Sequence, residues 1–203
     1  YCPFPLCCPS RMAFMTGQFA SRVRCIDNLA QLSSDIPTFA HSFAAAGYET
    51  ILSGRMHFVG TDQRHGFQKR LISDCTTAFV NIDWALGPVL GHLVDTPGYS
   101  RASIVKSGPG RTGYHAYDEA VARATVKWLD GRRGAGAKDD KPFLMVVGFA
   151  APHCPFIAPP EDFYCYYDEI GEDDLPTFDP SRLHPAAASQ RSGAGLDNPC
   201  PVP

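Results

Sequence analysis

An apolar run in the second half of the chain predicts a buried strand. Residues 143–150 are almost continuously apolar, and Lys141-Pro142 precede them as breakers. A continuous run of this length that follows a helix is typical of a central strand in a parallel sheet. We therefore expect a central parallel strand over 143–150.

An amphipathic pattern precedes this strand and predicts a helix over 115–131. One face of this helix is apolar, whereas charged side chains occupy the other. The predicted buried stripe consists of Tyr117, Val121, Ala124, Trp128 and, on its flank, Leu129. The side chains predicted to face outward are Asp118, Glu119, Arg123 and Lys127. Gly131 is predicted to end the helix.

The first part of the chain combines helix and strand patterns. Pro9 suits the first position of a helix, since its missing N–H needs no partner there, and Gly17 suits the helix end. A second helix is predicted to start within 35–38 and to stop at Gly47, and a strand over 48–53 follows it. A helix, a glycine, a strand and a polar loop make half of a βαβ unit. These elements predict an α/β protein with a parallel sheet.

The remaining stretches carry weaker patterns. Residues 62–113 are rich in Gly, Pro and Ser and are predicted to form loops and short strands that wall a site. Residues 172–203 are rich in Pro, Ala and Ser and are predicted to be an extended tail. The 203 residues fit one domain better than two, and we place this domain at 1–171. Because residue 1 is Tyr and not Met, we expect the sequence to be the interior of a longer protein.

Composition and charge restrict the class of function. The formal net charge of −3 gives no support to binding of nucleic acid or of a membrane surface. No apolar stretch approaches membrane-spanning length. The eight cysteines include no Cys-x-x-Cys pair, so a zinc cage is not expected, and Cys25, Cys75 and Cys165 are predicted to be reduced thiols. An anionic substrate would need locally placed cations such as Arg11 and Arg55.

Candidate chemistry begins at Cys7, which the first predicted helix places beside its N-terminus. Unpaired N–H groups and the helix dipole favour an anion at this position. Arg11 lies about one turn further along and can reach back toward the same place. These residues predict either a reactive thiolate or a site for an oxyanion.

Two later clusters follow predicted strands. Open α/β sheets bind ligands beyond the carboxyl ends of their strands. Arg55 and His57 follow the strand over 48–53, and His153 follows the strand over 143–150. We therefore expect these side chains to converge with the Cys7 helix. The remaining histidines are predicted to be solvated or capping residues: His41, His65, His92, His115 and His184.

These clusters resemble the motifs of one enzyme family. Cys7-Cys8-Pro9-Ser10-Arg11, followed by Met15-Thr16-Gly17, resembles the signature of the type I, formylglycine-dependent sulfatases. Gly54-Arg55-Met56-His57 resembles their Gly-Lys-x-His motif, with Arg in place of Lys, and residues 152–156 resemble their Pro-His-x-Pro-Phe motif. The resemblance implies a partial α/β domain of the alkaline phosphatase-like superfamily, with a mixed or parallel sheet and helices on both faces.

The resemblance also implies a role for each of these residues. A formylglycine-generating or sulfatase-maturating enzyme would oxidise Cys7 to formylglycine, whose hydrate would be the nucleophile in sulfate ester hydrolysis. Arg11 would hold this diol, and Arg55 would clamp the sulfate oxygens. His57 would be the base that releases sulfate, and His153 would bind the sulfate or protonate the leaving oxygen.

The resemblance further implies a divalent cation, usually calcium, with the formylglycine made from Cys7 among its ligands. It places the other ligands outside this chain, and the spacing of Asp62, Asp74 and Asp83 does not indicate a substitute site. Inside the family, residues 1–75 resemble the choline sulfatases, although Ala151 stands where that branch tends to have His.

A substrate with a choline-type cation would call for aromatic side chains around it. Trp84 is therefore the candidate substrate-binding aromatic residue, and Phe14 is a second one. The expected partner is a small-molecule sulfate ester. A choline sulfatase-like enzyme would be cytoplasmic, whereas other members of the family would be periplasmic or secreted.

Three alternatives to a sulfatase stay open at this point. The first is a phosphonate or phosphate ester hydrolase of the same superfamily. The second is an enzyme that uses Cys7 as an unmodified thiolate nucleophile. The third is an inactive fragment that only binds anions, which Arg55, Ala151 and the absent metal ligands favour.

Overall fold

A computed structural model describes residues 2–75, 101–134, 141–175, 177 and 179–193. The helices in this part of the chain are α1 (Cys7–Thr16), α2 (Phe39–Ala45), α3 (Arg101–Val105), α4 (Gly113–Gly134), α5 (Pro160–Tyr167) and α6 (Pro185–Gly193). The strands are β1 (Glu49–Gly54), β2 (Lys69–Arg70), β3 (Gly108–Pro109), β4 (Phe143–Gly148) and β5 (Ile157–Ala158). No helix in these ranges has the length and apolar character that a membrane crossing requires.

The described residues fall into two units. The first unit takes those of Tyr1–Leu90 and Ala116–Ala150, and the second takes those of Gly91–His115 and Ala151–Pro203. The domain boundary predicted at residue 171 stays a prediction.

A parallel three-stranded sheet in the order β2-β1-β4 lies in the first unit. Glu49 of β1 pairs with Phe143 of β4, and Gly54 pairs with Gly148 at the carboxyl ends. The predicted parallel sheet is therefore confirmed. The predicted central position of β4 is wrong for the described strands, because β1 lies between the other two and is more deeply buried than β4.

The central strand β1 is buried although it carries hydroxyl side chains. Thr50 and Ser53 are both fully buried. The Thr50 hydroxyl donates to the carbonyl of Gly66 at 3.0 Å, and the Ser53 hydroxyl accepts from the Thr125 hydroxyl at 3.1 Å. A buried hydroxyl with a hydrogen-bond partner costs little, so an interior strand tolerates it.

Helix α1 begins at Cys7, two residues before the predicted start. Pro9 is its third residue and not its first, which the helix tolerates because the first N–H groups of a helix have no intrahelical acceptor. Gly17 ends the helix as predicted, with a left-handed φ of 66° and its N–H donating to the carbonyl of Ala13 at 2.9 Å.

Two histidines cap helices. Helix α2 begins at Phe39, later than the predicted 35–38, because the N–H of Thr38 donates to Nδ1 of His41 at 3.1 Å. In the same way, the N–H of Thr112 donates to Nδ1 of His115 at 2.9 Å before α4. The predicted capping role of both histidines is confirmed. The same prediction is wrong for His65, which is 1% exposed and packs against the ring of Phe58.

Helix α4 is longer than predicted, since it continues three residues beyond Gly131. Tyr117 and Val121 are fully buried, as the amphipathic pattern predicts. Asp118 does not face outward, because its carboxylate accepts the N–H of Ala150 at 2.7 Å just after β4.

The core of the first unit joins α1 to the loop that follows β1. Its buried members are Cys8, Met12, Met15, Val23, Cys25, Leu32, Ala40, Leu52, Met56, Phe58 and Phe67. Each buried aliphatic or aromatic side chain of this kind stabilises the fold by about 1.5–3 kcal/mol. The packing therefore fixes the start of α1 relative to the residues beyond Gly54.

In the second unit, β3 and β5 form a two-stranded parallel sheet in which Gly108 pairs with Ile157. The Arg111 guanidinium donates to the Glu161 carboxylate at 2.8 Å on the surface of this unit. The described part of 172–203, predicted to be extended, contains 3₁₀ helices at Glu172–Asp174 and Pro180–Arg182 and the helix α6.

Candidate active site

Two adjacent cysteines at the start of α1 lie in different environments. Cys7, in the first turn, is half-buried, whereas Cys8 is fully buried. The Cys8 thiol lies 3.4 Å from the carbonyl of Ala30, and burial raises the pKa of Cys8 to about 12. Cys8 is therefore held as a neutral thiol, and Cys7 is the cysteine accessible to chemistry. Arg11 lies on the same helix face as Cys7, four residues later.

Arg55 is the first residue after β1 and is 4% exposed. Its N–H donates to the carbonyl of Gly148 at 2.8 Å, and its carbonyl accepts from Nη1 of Arg11 at 3.2 Å. Its Nε–H, buried as well, has no acceptor among the described residues. A buried donor without an acceptor costs about 1–3 kcal/mol, so this guanidinium is suited to an anionic ligand.

Glycines make room for Arg55. A Cβ on Gly148 would overlap the carbonyl oxygen of Arg55, and a Cβ on Gly54 would overlap the carbonyl oxygen of Gly148. Gly54 also has a φ of +92°, which other residues rarely adopt. The two strand ends approach each other this closely because neither carries a side chain there.

His57 is 5% exposed and has a left-handed φ of +64°. Its Nε2 lies 3.1 Å from the carbonyl of Asn28, which only accepts hydrogen bonds, so Nε2 carries the proton and the lone pair of the neutral ring is on Nδ1. Burial lowers the pKa of His57, and the charges of Arg55 and Arg11 lower it further, against the opposing charge of Asp74. The imidazole is therefore neutral at neutral pH and can accept a proton.

Asn28 connects these parts of the site and was not recognised as a site residue from the sequence. Its side-chain oxygen accepts the N–H of Cys8 at 2.9 Å, while its carbonyl accepts from the ring of His57. One residue thus links the first turn of α1 to the imidazole. A polar residue between two helices has no distinctive pattern, so the sequence contains no signal for this role.

Asp74 is a site residue that the sequence does not predict, and its carboxylate binds backbone N–H groups. Its Oδ2 accepts the N–H of Met56 at 3.0 Å and that of His57 at 2.6 Å. Asp74 lies four residues after β2, a short strand that the sequence does not place, so no local pattern identifies Asp74.

Positive charge dominates the site. Burial lowers the pKa of Arg11, and the neighbouring charge of Arg55 adds to this effect. Asp74 lies 3.9 Å from Nη2 of Arg70, and this ion pair offsets the Asp74 charge. Two guanidiniums beside Cys7 therefore remain to attract an oxyanion.

The described residues do not fit a divalent metal ion. No group of three or more His, Cys, Asp or Glu side chains in the described ranges could hold a metal. The carboxylate of Asp74 accepts two backbone N–H groups, and Arg11 lies close enough to Cys7 for their charges to interact. A calcium ion needs six to eight oxygen ligands, which this set of side chains does not provide.

The placement of two predicted site residues relative to Cys7 stays a prediction. His153 belongs to the second unit, where its ring packs edge-on against Tyr114 at 5.6 Å and its Nδ1 lies 2.8 Å from the carbonyl of Cys154. Trp84 lies outside the described residues. Phe14, the other aromatic candidate, is 62% exposed and packs against Phe39. The roles of His153, Trp84 and Phe14 stay predictions.

Comparison with known proteins identifies the family of this chain. The family model described as Sulfatase matches residues 1–186. The chain belongs to the sulfatase family. It is 37% identical over 191 residues to the choline-sulfatase of Rhizobium meliloti (strain 1021), covering 89% of this chain and 36% of that protein. It is 27% identical over 183 residues to the uncharacterized sulfatase YidJ of Escherichia coli (strain K12), covering 84% and 35%.

Solved structures with a similar fold include a phosphonate monoester hydrolase and a protein bound to a sulfated substrate. The phosphonate monoester hydrolase of Agrobacterium radiobacter matches with a TM-score of 0.55 at 18% identity, over 87% of this chain and 37% of that one. A protein bound to its substrate D-glucosamine-2-N,6-O-disulfate matches with a TM-score of 0.51 at 20% identity, over 84% and 30%. The expected α/β fold is confirmed.

Members of the sulfatase family share two general requirements for activity. Sulfatases generally use a formylglycine and a divalent metal. The chain spans about a third of the length of the two curated relatives described above.

Proposed function

We propose that the protein containing this chain hydrolyses a sulfate monoester to an alcohol and inorganic sulfate, with formylglycine made from Cys7 as its nucleophile. The observation that carries the proposal is the buried Arg55, whose Nε–H has no acceptor among the described residues, in contact with Arg11 of the Cys7 helix. Two guanidiniums next to a modifiable cysteine are suited to an anionic ester.

Arg55 and Arg11 bind and orient the sulfate in this proposal. A guanidinium is planar and presents parallel N–H groups, so it can bind two sulfate oxygens at once. The hydrogen bond from Nη1 of Arg11 to the Arg55 carbonyl links the Arg11 side chain to the backbone that follows β1. Preorganised positive charge of this kind stabilises the charge that develops on the sulfate oxygens and the diol.

Formylglycine, once hydrated, supplies one hydroxyl that attacks sulfur and expels the alcohol, and a second whose deprotonation releases sulfate and restores the aldehyde. His57 accepts that proton at Nδ1, because its Nε2–H is held by the carbonyl of Asn28. The lowered pKa of His57, caused mainly by burial, keeps Nδ1 available at neutral pH. His153 is proposed to bind the sulfate or to protonate the leaving oxygen.

The metal and the maturation enzyme complete this proposal. We expect a calcium ion with formylglycine among its ligands and the remaining ligands outside these 203 residues. A formylglycine-generating or sulfatase-maturating enzyme would modify Cys7. Choline sulfate is the first substrate to test, because the 37% identical relative is a choline-sulfatase.

The modification is tested by mass spectrometry of the peptide that contains position 7, after coexpression of the full-length protein with a maturating enzyme. In the parent protein, we expect the mass of this peptide to show that residue 7 has lost its sulfur. The Cys8→Ala variant is the matched control, because it keeps Cys7 and should still be modified. A fully active protein whose Cys7 retains its sulfur would contradict the proposal and favour the thiolate mechanism.

The reaction is tested by comparing kcat/KM for sulfate, phosphate and phosphonate monoesters in the full-length protein supplied with calcium. We expect a sulfate ester to be the best substrate and Cys7→Ala to abolish turnover. A preference for phosphonate esters would favour the related hydrolase. Binding of sulfate esters without any turnover would favour an inactive anion-binding protein.

A further inference from the structure

A buried carboxylate holds the backbone of the candidate base. Asp74 is 3% exposed, and a single oxygen, Oδ2, accepts the N–H groups of Met56 and His57 at 3.0 and 2.6 Å. Hydrogen bonds from N–H groups to a carboxylate are roughly twice as strong as those to a neutral acceptor. The two bonds join residues that are 17 and 18 positions apart in sequence.

This contact coincides with an unfavourable backbone conformation. His57 has a φ of +64°, in the left-handed region that costs a residue with a Cβ about 1–3 kcal/mol. The direction of the Cα–Cβ bond depends on this φ, so the same torsion sets where the imidazole points. The N–H of His57 that Asp74 accepts lies at the start of that torsion.

The surroundings of Asp74 keep its carboxylate in place. Nη1 of Arg70 donates to the carbonyl and side-chain oxygens of Gln63, both at 2.8 Å, and Nη2 donates to the carbonyl of Gly54 at 3.3 Å. Nη2 also lies 3.9 Å from Asp74, so Arg70 compensates the buried negative charge. Compensation of the Asp74 charge by Arg70 does not by itself require Oδ2 of Asp74 to accept two backbone N–H groups.

We propose that Asp74 is a positioning residue, which holds His57 in its left-handed conformation and thereby aims Nδ1 of the imidazole at the reacting group. The proposal rests on the sulfate ester hydrolysis proposed above. Asp74 touches no substrate in this scheme and acts only through His57.

The main variant is Asp74→Asn, which keeps the shape and one oxygen acceptor but loses the charge. Asp62→Asn is its matched control. Oδ1 of Asp62 accepts the N–H groups of Arg64 and His65, each at 3.0 Å, so it anchors backbone within the same region without touching His57. We expect Asp74→Asn to lower kcat roughly 10-fold, Asp74→Ala roughly 100-fold, and Asp62→Asn by less than about 2-fold. KM should change less than kcat.

A double-mutant cycle separates positioning from a general loss of structure. In a His57→Ala background, Asp74→Asn should cause no further loss of kcat, because the ring on which it acts is gone. Equal losses of kcat in both backgrounds would overturn the proposal. An unchanged kcat in Asp74→Asn with His57 present would overturn it as well.

A spectroscopic readout makes the test independent of turnover. NMR of histidine labelled in the ring would follow the Nε2–H proton that His57 donates to Asn28, assigned by its loss in His57→Gln. We expect this signal to shift or disappear in Asp74→Asn and to stay in Asp62→Asn. If the protein hydrolyses no sulfate ester, the proposed function fails while this signal still tests the positioning. An unshifted signal in Asp74→Asn would overturn the positioning proposal, whatever the activity.

Discussion

The two ends of β1 use the same kinds of charged residue in opposite ways. At the amino end, the Glu49 carboxylate lies 2.5 Å from Nζ of Lys69 and 2.8 Å from Nη1 of Arg132. At the carboxyl end, Arg55 contacts Arg11 through its carbonyl, and its Nε–H has no acceptor among the described residues. At the amino end, Lys69 and Arg132 share one carboxylate, whereas at the carboxyl end the charges of Arg55 and Arg11 act on each other.

The difference separates a stabilising cluster from a binding site. The Arg132 guanidinium also packs on the rings of Trp128 and Phe143, at 5.3 and 5.0 Å. Its charge is therefore compensated by Glu49 and by two aromatic rings of the same fold. At the other end, the cost of two neighbouring positive charges is visible in the lowered pKa of Arg11, which burial and Arg55 cause. An anion bound there would relieve this cost.

The largest expected effect is a loss of kcat/KM when a cation is removed at the carboxyl end of β1 but not at the amino end. Arg55→Met should lower kcat/KM of the full-length protein about 100- to 1,000-fold, because a preorganised donor for the sulfate oxygens is lost. Lys69→Met, at the amino end, should change kcat/KM by less than about 3-fold, since Lys69 is an exposed partner of Glu49. Steady-state kinetics of both variants measure the contrast. Similar losses from both changes would contradict the division between the two ends.

Stability should depend strongly on the glycine beside Arg55. Gly148→Ala places a Cβ against the carbonyl oxygen of Arg55, so β1 and β4 must move apart, at a cost of about 3 kcal/mol. Gly131→Ala is the control, because a Cβ there meets nothing within 4 Å and alanine favours the helix by about 0.5–1 kcal/mol. Urea unfolding of both variants measures the difference. A Gly148→Ala protein as stable as its parent would show that the strand ends tolerate a side chain.

The sequence predicts those elements of the fold that depend on local patterns of residues. Continuous apolar residues identified β4, and the 3.6-residue period identified α4. The placement of polar residues after strands predicts Arg55 and His57 as candidate site residues. The left-handed end of α1 at Gly17 also follows from a local preference. These features depend on a few neighbouring residues, so they can be read from the chain alone.

Other features depend on residues that are distant in sequence. Asn28 and Asp74 reach the site only because the fold brings them to the start of α1 and to His57. The outward face assigned to Asp118 is wrong because the N–H of Ala150, which is 32 residues away, needs an acceptor. Hydrogen-bonding needs of this kind are set by tertiary structure, and no periodicity of the sequence encodes them.

The pH dependence of stability and of kcat/KM tests the environment of His57 at the carboxyl end of β1. Burial, together with the two arginines, holds the pKa of His57 below its ordinary value of 6.5. The unfolded chain therefore takes up a proton at a higher pH than the folded chain, and His57 lowers the free energy of unfolding as pH falls below about 6.5. The acidic limb of kcat/KM should also have its midpoint below 6.5.

The comparison that checks this dependence is between the parent and His57→Gln. Both proteins keep His65, whose pKa burial also lowers, so its contribution cancels in the difference. The difference in unfolding free energy should be constant above pH 7 and should change as the pH falls toward 5. A difference independent of pH would mean that the His57 pKa is the same in the folded and unfolded protein.

The smallest effect is expected at the amino end of β1. Glu49→Gln should lower the free energy of unfolding by about 1 kcal/mol at pH 7, because it removes the charge shared by Lys69 and Arg132. The hydrogen bond from Lys69, followed by the other charge contacts, lowers the pKa of Glu49 below its ordinary 4.5. Its contribution is therefore present above pH 4.5 and is lost as the pH falls through the lowered pKa, where parent and variant should converge in urea unfolding. Because the variant leaves Arg11, Arg55 and His57 untouched, its kcat/KM should stay within about 2-fold of the parent. A large loss of activity without a loss of stability would mean that the two ends of β1 do not act independently.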